Sequence, residues 1–474
     1  MELHVSLSGR RDLSGEIYRQ VRRAIADGRL RPGEALPPTR HLARRLSVSR
    51  MTVTVAYERL ASEGLVIARV GAGTFVSAHA ARPSARRPRE SRQVLAGRAL
   101  WQEIPLPAAF GRLARYDFRT GIPDATLFPH RAWNRLVARC LRRTAVTDGL
   151  YRHPAGQGEL RAAIARHVGI SRGVAAEADD VTITNGTQQA LDVLARVLLA
   201  PGETVAVEDP GYTPPRRLFH TLGLRVVGVP VDGDGLIVDA IPRGVRAVYV
   251  TPSHHYPLGV CLSLARRQAL LAWADRHHAA IIEDDYDSEF RFGGRPLEAL
   301  QTLDGAGRVI YVGSFSKTML PGLRLGFVVT PPSLTPAVHR AKYVTDWHTP
   351  ILVQDALARF IDDGGFARHV RRVSAVYRAR HEMITRVVAR DFAGVLDLVP
   401  SSTGLHVAAR ARRLTVQQIE VARARAAEAG VAVQPLSMFA VGRARLPGVV
   451  LGYGAIATAG IEEGLRLLRA CLPL

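Results

Sequence analysis

Between residues 181 and 330, seven short apolar, β-branched runs alternate with stretches of helical character, a pattern that sharply limits the folds open to this chain. The runs are Val181–Thr184, Thr204–Val207, Arg225–Val229, Ala247–Val250, Ala280–Glu283, Val309–Gly313 and Gly326–Thr330. Strands separated by helices pair as parallel neighbours, so the pattern predicts an α/β domain on a largely parallel sheet. Ligands of such sheets bind beyond the carboxyl ends of the strands. Residues able to do chemistry follow that rule. Gly186-Thr187 follows the first run, Asp209-Pro-Gly-Tyr212 the second, Pro252-Ser-His254 the fourth, Asp284 the fifth and Ser314–Lys317 the sixth.

The lysine at the end of the sixth run stands out for a second reason. Of 64 lysines and arginines only two, Lys317 and Lys342, are lysine. A guanidinium stays protonated and is too delocalised to attack as an amine, whereas a lysine amine condenses with an aldehyde. Lys317 lies in the segment Ser314-Phe-Ser-Lys317-Thr-Met-Leu-Pro-Gly-Leu-Arg324, where Ser314 and Arg324 supply a hydroxyl and a planar cation suited to a phosphate. Upstream, the acidic cluster Glu283–Glu289 follows the apolar run Ala279–Ile282. A lysine for an aldehyde, a carboxylate for a pyridinium nitrogen and a phosphate clamp together read as a site for pyridoxal 5'-phosphate (PLP).

The first seventy-odd residues carry a different pattern. Ser14 is placed to cap a helix with apolar positions Ile17, Val21, Ala24 and Ile25, ending at Asp27-Gly28. Thr39 is placed to cap a short helix carrying Leu42, Ala43 and Leu46. Ser49 is placed to cap another running to about Glu63, with Val53, Ala56 and Leu60 inward. Arg50, Thr52 and Thr54 then lie away from that stripe, where a recognition helix meets base edges and phosphates. Leu65–Arg69 and Thr74–Ser77 read as a hairpin wing around Val70-Gly-Ala-Gly73.

Charge agrees with a nucleic-acid partner at this end. The net charge is +22, and more than half of it falls in the first quarter of the chain: thirteen arginines face seven acidic residues in residues 1–80, and eight face two in residues 81–115. Residues 79–115, with Arg-Pro-Ser-Ala-Arg-Arg-Pro-Arg, read as a basic flexible linker with one short turn near Trp101. Cys140, Cys261 and Cys471 are too few and scattered for a disulfide framework or a zinc site, and no metal is expected. The amino terminus has no signal-peptide pattern and no apolar run approaches a bilayer span, so a soluble, cytoplasmic protein is expected.

These motifs resemble two known families. Leu36-Pro-Pro-Thr-Arg40-His-Leu-Ala43, Val48-Ser-Arg50-Met-Thr-Val53, Ala56-Tyr57-Glu-Arg-Leu60, Glu63-Gly64-Leu65 and Gly71-Ala-Gly73-Thr-Phe-Val76 resemble the GntR-type winged helix-turn-helix. That resemblance implies DNA contacts from Arg40, Ser49, Arg50, Thr52 and the wing glycines Gly71 and Gly73. Residues 116–474 resemble a fold-type-I aminotransferase through Tyr116–Asp124, Phe128-Pro129, Tyr151, Gly156, Glu208–Tyr212, Thr251–His254, Glu283–Glu289 and the lysine segment. The fold implied is a large α/β domain with a mostly parallel seven-stranded sheet and a smaller α+β domain. The whole resembles the MocR/GabR branch of GntR regulators, with residues 1–78 as the DNA-binding domain, 79–115 as linker and 116–474 as the aminotransferase-like domain.

The same resemblance implies roles for single residues. Lys317 carries PLP as a Schiff base. Asp284 pairs with the pyridine nitrogen, Tyr286 lies near the phenolic oxygen, and Tyr212 stacks on the ring. Gly186 and Thr187 open a helix whose amides bind the phosphate together with Ser314 and Arg324. His254 lies in the cofactor site, His255 stands where the family more often has glutamine, and Tyr151 reaches the cofactor of a partner subunit in a homodimer. The chain departs from the family at one place. The strand that usually supplies an arginine for a substrate α-carboxylate reads Pro447-Gly-Val-Val-Leu-Gly-Tyr453, with Arg443 and Arg445 nearby. The function expected is a PLP-binding transcriptional regulator that senses PLP or a PLP-reactive amine and controls operator binding, without efficient turnover. The alternatives are an active aminotransferase with a DNA-binding domain, marked by a carboxylate-binding arginine and turnover, and a nonspecific DNA-compacting protein, marked by lack of operator preference.

Overall fold

A computed structural model describes residues 5–7, 12–78, 97–106, 113–144, 150–293, 298–442 and 446–473 of the protein. The chain divides into two compact units, Met1–Glu103 and Ile104–Leu474. Much of the expected linker, like Arg443 and Arg445, lies outside the described residues. The turn expected near Trp101 is a short 3-10 segment, Ala99–Trp101.

In the first unit, helices Leu13–Ala26, Thr39–Arg45 and Arg50–Ser62 precede a hairpin of Val66–Arg69 and Gly73–Val76. Ile17, Val21, Leu42, Val53 and Leu60 are each fully buried in one core, so the helical spacing read from the sequence is the packing stripe. Two caps differ from expectation. The first helix is capped by Asp12, whose carboxylate accepts the Gly15 amide at 3.2 Å, and Ser14 falls inside it. Asp12 is two residues further out and offers a charged acceptor to the helix dipole, an advantage a serine lacks. Thr39 is the first helical residue rather than the cap, which is Pro38 without a side-chain bond. Ser49 does cap the third helix, its Oγ accepting the Thr52 amide at 3.1 Å.

The second unit is built on a sheet whose strands run in the order Val181–Thr184, Gly326–Val329, Val309–Ser314, Ala280–Asp285, Val245–Val250, Thr204–Asp209, Arg225–Asp232 and Gly235–Leu236. These are the seven expected strands plus a two-residue edge strand that folds back on its neighbour. Gly326–Val329 is antiparallel to both neighbours, whereas the pairings from Val309–Ser314 across to Arg225–Asp232 are parallel. Most strand residues are buried on both faces, as expected where helices cover the two sides of a sheet. A smaller antiparallel sheet of Leu396–Leu398, His406–Ala411, Gly448–Gly452 and Gln434–Pro435 has its own core with helices Gly365–Asp391, Val416–Glu428 and Ile461–Cys471. Among the described residues no helix is long and apolar enough to cross a membrane.

Leu60 tests the independence of the first unit. Leu60→Ala should cost the helical core roughly 2–5 kcal/mol. Scanning calorimetry of the full chain should show one transition moved down and the transition of the second unit unchanged.

Candidate functional site

Parallel register brings the chemistry together. Strands Ala280–Asp285 and Val309–Ser314 are adjacent, with Val312 opposite Asp284 and Gly313 opposite Asp285. Their carboxyl ends deliver Asp284 and the Ser314–Lys317 turn to one cavity of about 720 Å3. Thr120, Gly121, Thr187, Tyr212, Tyr286 and Arg324 are also on its wall.

Alternation along the strand separates three consecutive acids. Glu283 accepts the amides of Leu300 at 2.8 Å and Gln301 at 2.9 Å. Asp285 accepts from Arg172 Nε and the Tyr311 hydroxyl, each at 2.7 Å. Asp284 alone faces the cavity. Its Oδ2 accepts the Tyr249 hydroxyl at 2.6 Å, while its Oδ1 is buried without a partner. Burial, reinforced by the charge of Asp285, pushes the Asp284 pKa up to about 7 despite the Tyr249 bond and Lys317.

Lys317 Nζ donates to the Gly121 carbonyl at 2.8 Å. Burial holds its pKa below the usual lysine value, opposed by the charges of Asp287 and Asp284. The neutral amine, the form that condenses with an aldehyde, is thereby favoured. Tyr212 lines the cavity, its hydroxyl pushed up to about 12 by burial. Tyr286 also lines it, with its hydroxyl donated to the His254 carbonyl at 2.9 Å.

At the other end, Gly186 (φ 76°) is the cap of helix Thr187–Leu198 and has no side chain to close that cap. The amides of the first turn are therefore left to a ligand or solvent. A Cβ on Gly186 would sit 2.9 Å from the Arg324 guanidinium, so only glycine lets the clamp approach. Ser314 Oγ accepts the Ser316 amide at 3.1 Å, leaving its proton to donate. The unpartnered Asp284 oxygen, the half-buried Lys317 amine and this open helix end are donors and acceptors of the kinds that PLP would need, with Asp284 able to meet a ring nitrogen and Gly186–Thr187, Ser314 and Arg324 a phosphate.

Three residues singled out in the sequence do not line this cavity. His254 does not line the cavity: it is buried behind Tyr286, with Nδ1 within 3.0 Å of Asp287, because that buried carboxylate holds the ring back in the wall. His255 is buried beside Glu208, and burial lowers its pKa to about 3. Tyr151 is exposed on this chain, stacked on Trp347 at 4.3 Å, and does not line its own chain's cavity. Several wall residues were missed. Tyr256 shares a 2.5 Å hydrogen bond with Thr120, whose Oγ1 also donates to Gln434 at 2.7 Å. Tyr256 lies two residues past the motif read after the fourth strand, so a longer reading of that loop would have found it. Arg217 also lines the cavity, one turn beyond Tyr212.

Strand Gly448–Gly452 carries no arginine. Val450 pairs with Ala408 and lies in a buried apolar cluster with Tyr256 and Phe439, so this strand brings no guanidinium to the site, as its sequence implies. The buried Arg380 near this strand's end is committed to the Tyr453 and Gly454 carbonyls and to Asp124 at 2.6 Å.

In the first unit Arg40 and Arg50 are exposed, and Thr52 is half-buried. Arg50 Nε donates to Thr39 Oγ1 at 3.4 Å, which links the starts of the two helices. Gly71 and Gly73 adopt positive φ at the exposed wing tip, which favours residues without a Cβ.

Residues 123–450 match the family model for aminotransferase class I and II, and residues 13–76 match that for bacterial regulatory proteins of the gntR family. The chain is 37% identical over 464 residues to the probable rhizopine catabolism regulatory protein MocR of Rhizobium meliloti, covering 96% of this chain and 92% of that one. It is 36% identical over 478 residues to the HTH-type transcriptional regulator TauR of Rhodobacter capsulatus, covering 98% and 97%. Among solved structures, LysN, the α-aminoadipate aminotransferase of Thermus thermophilus complexed with N-(5'-phosphopyridoxyl)-L-leucine, aligns with a TM-score of 0.69 and 31% identity over 75% of this chain and 91% of LysN.

The raised Asp284 pKa has a measurable sign. A carboxyl whose folded pKa lies above its unfolded value contributes stability that is present below the unfolded pKa and lost as pH rises through the folded one. Without cofactor, Asp284→Asn should therefore be more stable than the parent. The gap should open from about pH 4 to about pH 7 and stay flat above. Thermal melts of cofactor-stripped protein across that range check it.

Proposed function

The chain belongs to the MocR/GabR branch of the GntR transcriptional regulators, with an aminotransferase class I and II domain, and from that premise we propose that it is a PLP-dependent sensor whose cofactor state sets operator binding. The observation that carries the reading is the Asp284 oxygen buried without a partner in the cavity that the half-buried Lys317 amine also lines. A protein with no use for a pyridinium would leave that oxygen at a cost of several kcal/mol for nothing.

PLP, when bound, supplies an aldehyde that amines attack and a ring that draws electron density from them. The residues of this chain do the rest. Lys317 offers the neutral amine that holds the aldehyde. Asp284, ionised opposite a cationic ring nitrogen, keeps that nitrogen protonated. Tyr212 would cover a ring face, Tyr286 would stand near the phenolic oxygen, and Tyr256 lines the same cavity. Ser314, Arg324 and the Thr187 helix end bind the phosphate. His254 orients Tyr286 through its carbonyl, and Tyr151 serves a partner subunit in a homodimer. The ligands are PLP and a small amine.

Val450 in place of the strand arginine favours sensing over turnover. A bidentate cation for an α-carboxylate orients the bond to be broken, and its loss removes that orientation while leaving cofactor affinity in place. An amine that binds but is not processed shifts the population between two states of the regulator for as long as it stays. On the DNA side, Arg40, Ser49, Arg50, Thr52 and the Gly71–Gly73 wing form the operator-reading surface.

Full-length protein and an operator selected from random duplexes, titrated at fixed salt, test the reading. PLP or a reactive amine should change operator affinity. Lys317→Ala should abolish both the visible absorbance and borohydride fixation of the cofactor. Arg50→Ala should cost roughly 1–3 kcal/mol of operator binding with the absorbance unchanged. Borohydride labelling at Lys342, operator affinity indifferent to cofactor, or steady-state transamination of α-amino acids at rates of order 1–10³ s⁻¹ would each overturn it.

A further inference from the structure

The second of the two lysines, Lys342, is fully buried on helix Thr335–Asp346 and has no part in the reading above. A buried lysine needs a charged partner, and it has one: its Nζ lies 2.5 Å from Asp346 Oδ1. The other oxygen of Asp346 is also fully used. It accepts Asn185 Nδ2 and Gln189 Nε2, each at 2.7 Å. Gln189 returns its own Oε1 to the Asn185 amide at 2.8 Å. Asn185 is thus held at both side chain and backbone, and its carbonyl receives Arg324 at 2.7 Å. The next residue is Gly186, whose turn opens the helix at the phosphate end of the cavity.

This is one connected path from a buried ammonium to the phosphate clamp. We propose that Lys342 is a positioning residue for the cofactor phosphate: through Asp346 it fixes Asn185, and through Asn185 it sets both the Gly186–Thr187 turn and the Arg324 guanidinium. The proposal rests on the assignment of the cavity to PLP. It also accounts for the retention of a second lysine in a chain otherwise given over to arginine. A compact ammonium meets a single carboxylate oxygen in a closed space, where the planar, five-donor guanidinium would need further acceptors. Removing the ammonium leaves Asp346 as a half-buried anion held only by two amides, free to draw Asn185 out of place.

The test compares PLP with pyridoxal, which lacks the phosphate, on full-length protein by absorbance and tryptophan fluorescence. Lys342→Met should weaken PLP by roughly tenfold or more while pyridoxal affinity stays within about twofold. The 31P resonance of bound PLP should move as well. Asn185→Ala leaves the Lys342–Asp346 pair intact and cuts the path, so it should show the same selective loss. It also decides the matter if Lys342→Met fails to fold. The double variant should lose no more than either single one, because both break one path. Equal weakening of PLP and pyridoxal, or no weakening of either in a parent that binds PLP, overturns the positioning role. A parent that binds neither compound overturns the cofactor reading itself.

Discussion

The buried, half-satisfied carboxylate of Asp284 is the constraint around which the second unit is organised. An ionised group out of water with an unpaired oxygen is costly, and here burial moves its pKa to about 7 rather than being relieved by a protein partner. The neighbouring acids would make matters worse if they shared its face. They do not, because strand alternation turns Glu283 and Asp285 to the other side. Backbone amides satisfy one of them there, and Arg172 with Tyr311 satisfies the other. The parallel pairing to Val245–Val250 brings Tyr249 to its single hydrogen bond, and the pairing to Val309–Ser314 brings the lysine turn to the same cavity. A site of this kind persists only where the surrounding sheet over-determines it.

The strands were legible because apolar, β-branched runs are what a sheet buried on both faces requires. Their carboxyl ends were less so. Thr204–Val207 continues to Asp209, Arg225–Val229 to Asp232 and Ala280–Glu283 to Asp285. A reading that follows hydrophobicity stops where the apolar run breaks, before Glu208, Pro230 and Asp284, yet the backbone ladder continues past each of them. Of the residues added in this way only Asp284 lines the cavity, whereas Asp232 pairs with Arg266 and Asp285 with Arg172. Ser49 was read correctly as a cap because its spacing to Thr52 is local. Asp12 was missed in favour of Ser14 because two acceptors stood within two residues and only the chain path selects between them.

What the sequence hid were contacts across long separations. Tyr256, Thr120 and Gln434 meet although they come from three distant segments, and Arg380 pairs with Asp124 from 256 residues away. The displacement of His254 from the cavity has the same origin. Its role depends on Asp287, which lies on the turn after a different strand and claims the ring first. Lys342 is the extreme case. Nothing in its local sequence points to the phosphate end of the cavity, and only the packing of helix Thr335–Asp346 against the turn after the first strand brings them together.

The two ends of the cavity are unequal in a way that bears on function. The end proposed for the phosphate is braced by an arginine, a helix terminus and, behind them, the ion pair of the buried Lys342 with Asp346. At the other, the strand Gly448–Gly452 brings no guanidinium, its Val450 lying in a buried apolar cluster with Ala408 and Phe439. Interactions that bind the cofactor equally in every state raise its residence without hastening any step. Acceleration requires groups aimed at the bond that breaks, and orientation through a fixed carboxylate is one such device. A site strong in the first kind and without the strand arginine is suited to holding its ligands longer than it transforms them. In the proposed regulator that imbalance is an advantage, because a bound state must outlast the encounter with DNA if it is to alter how often the operator is occupied.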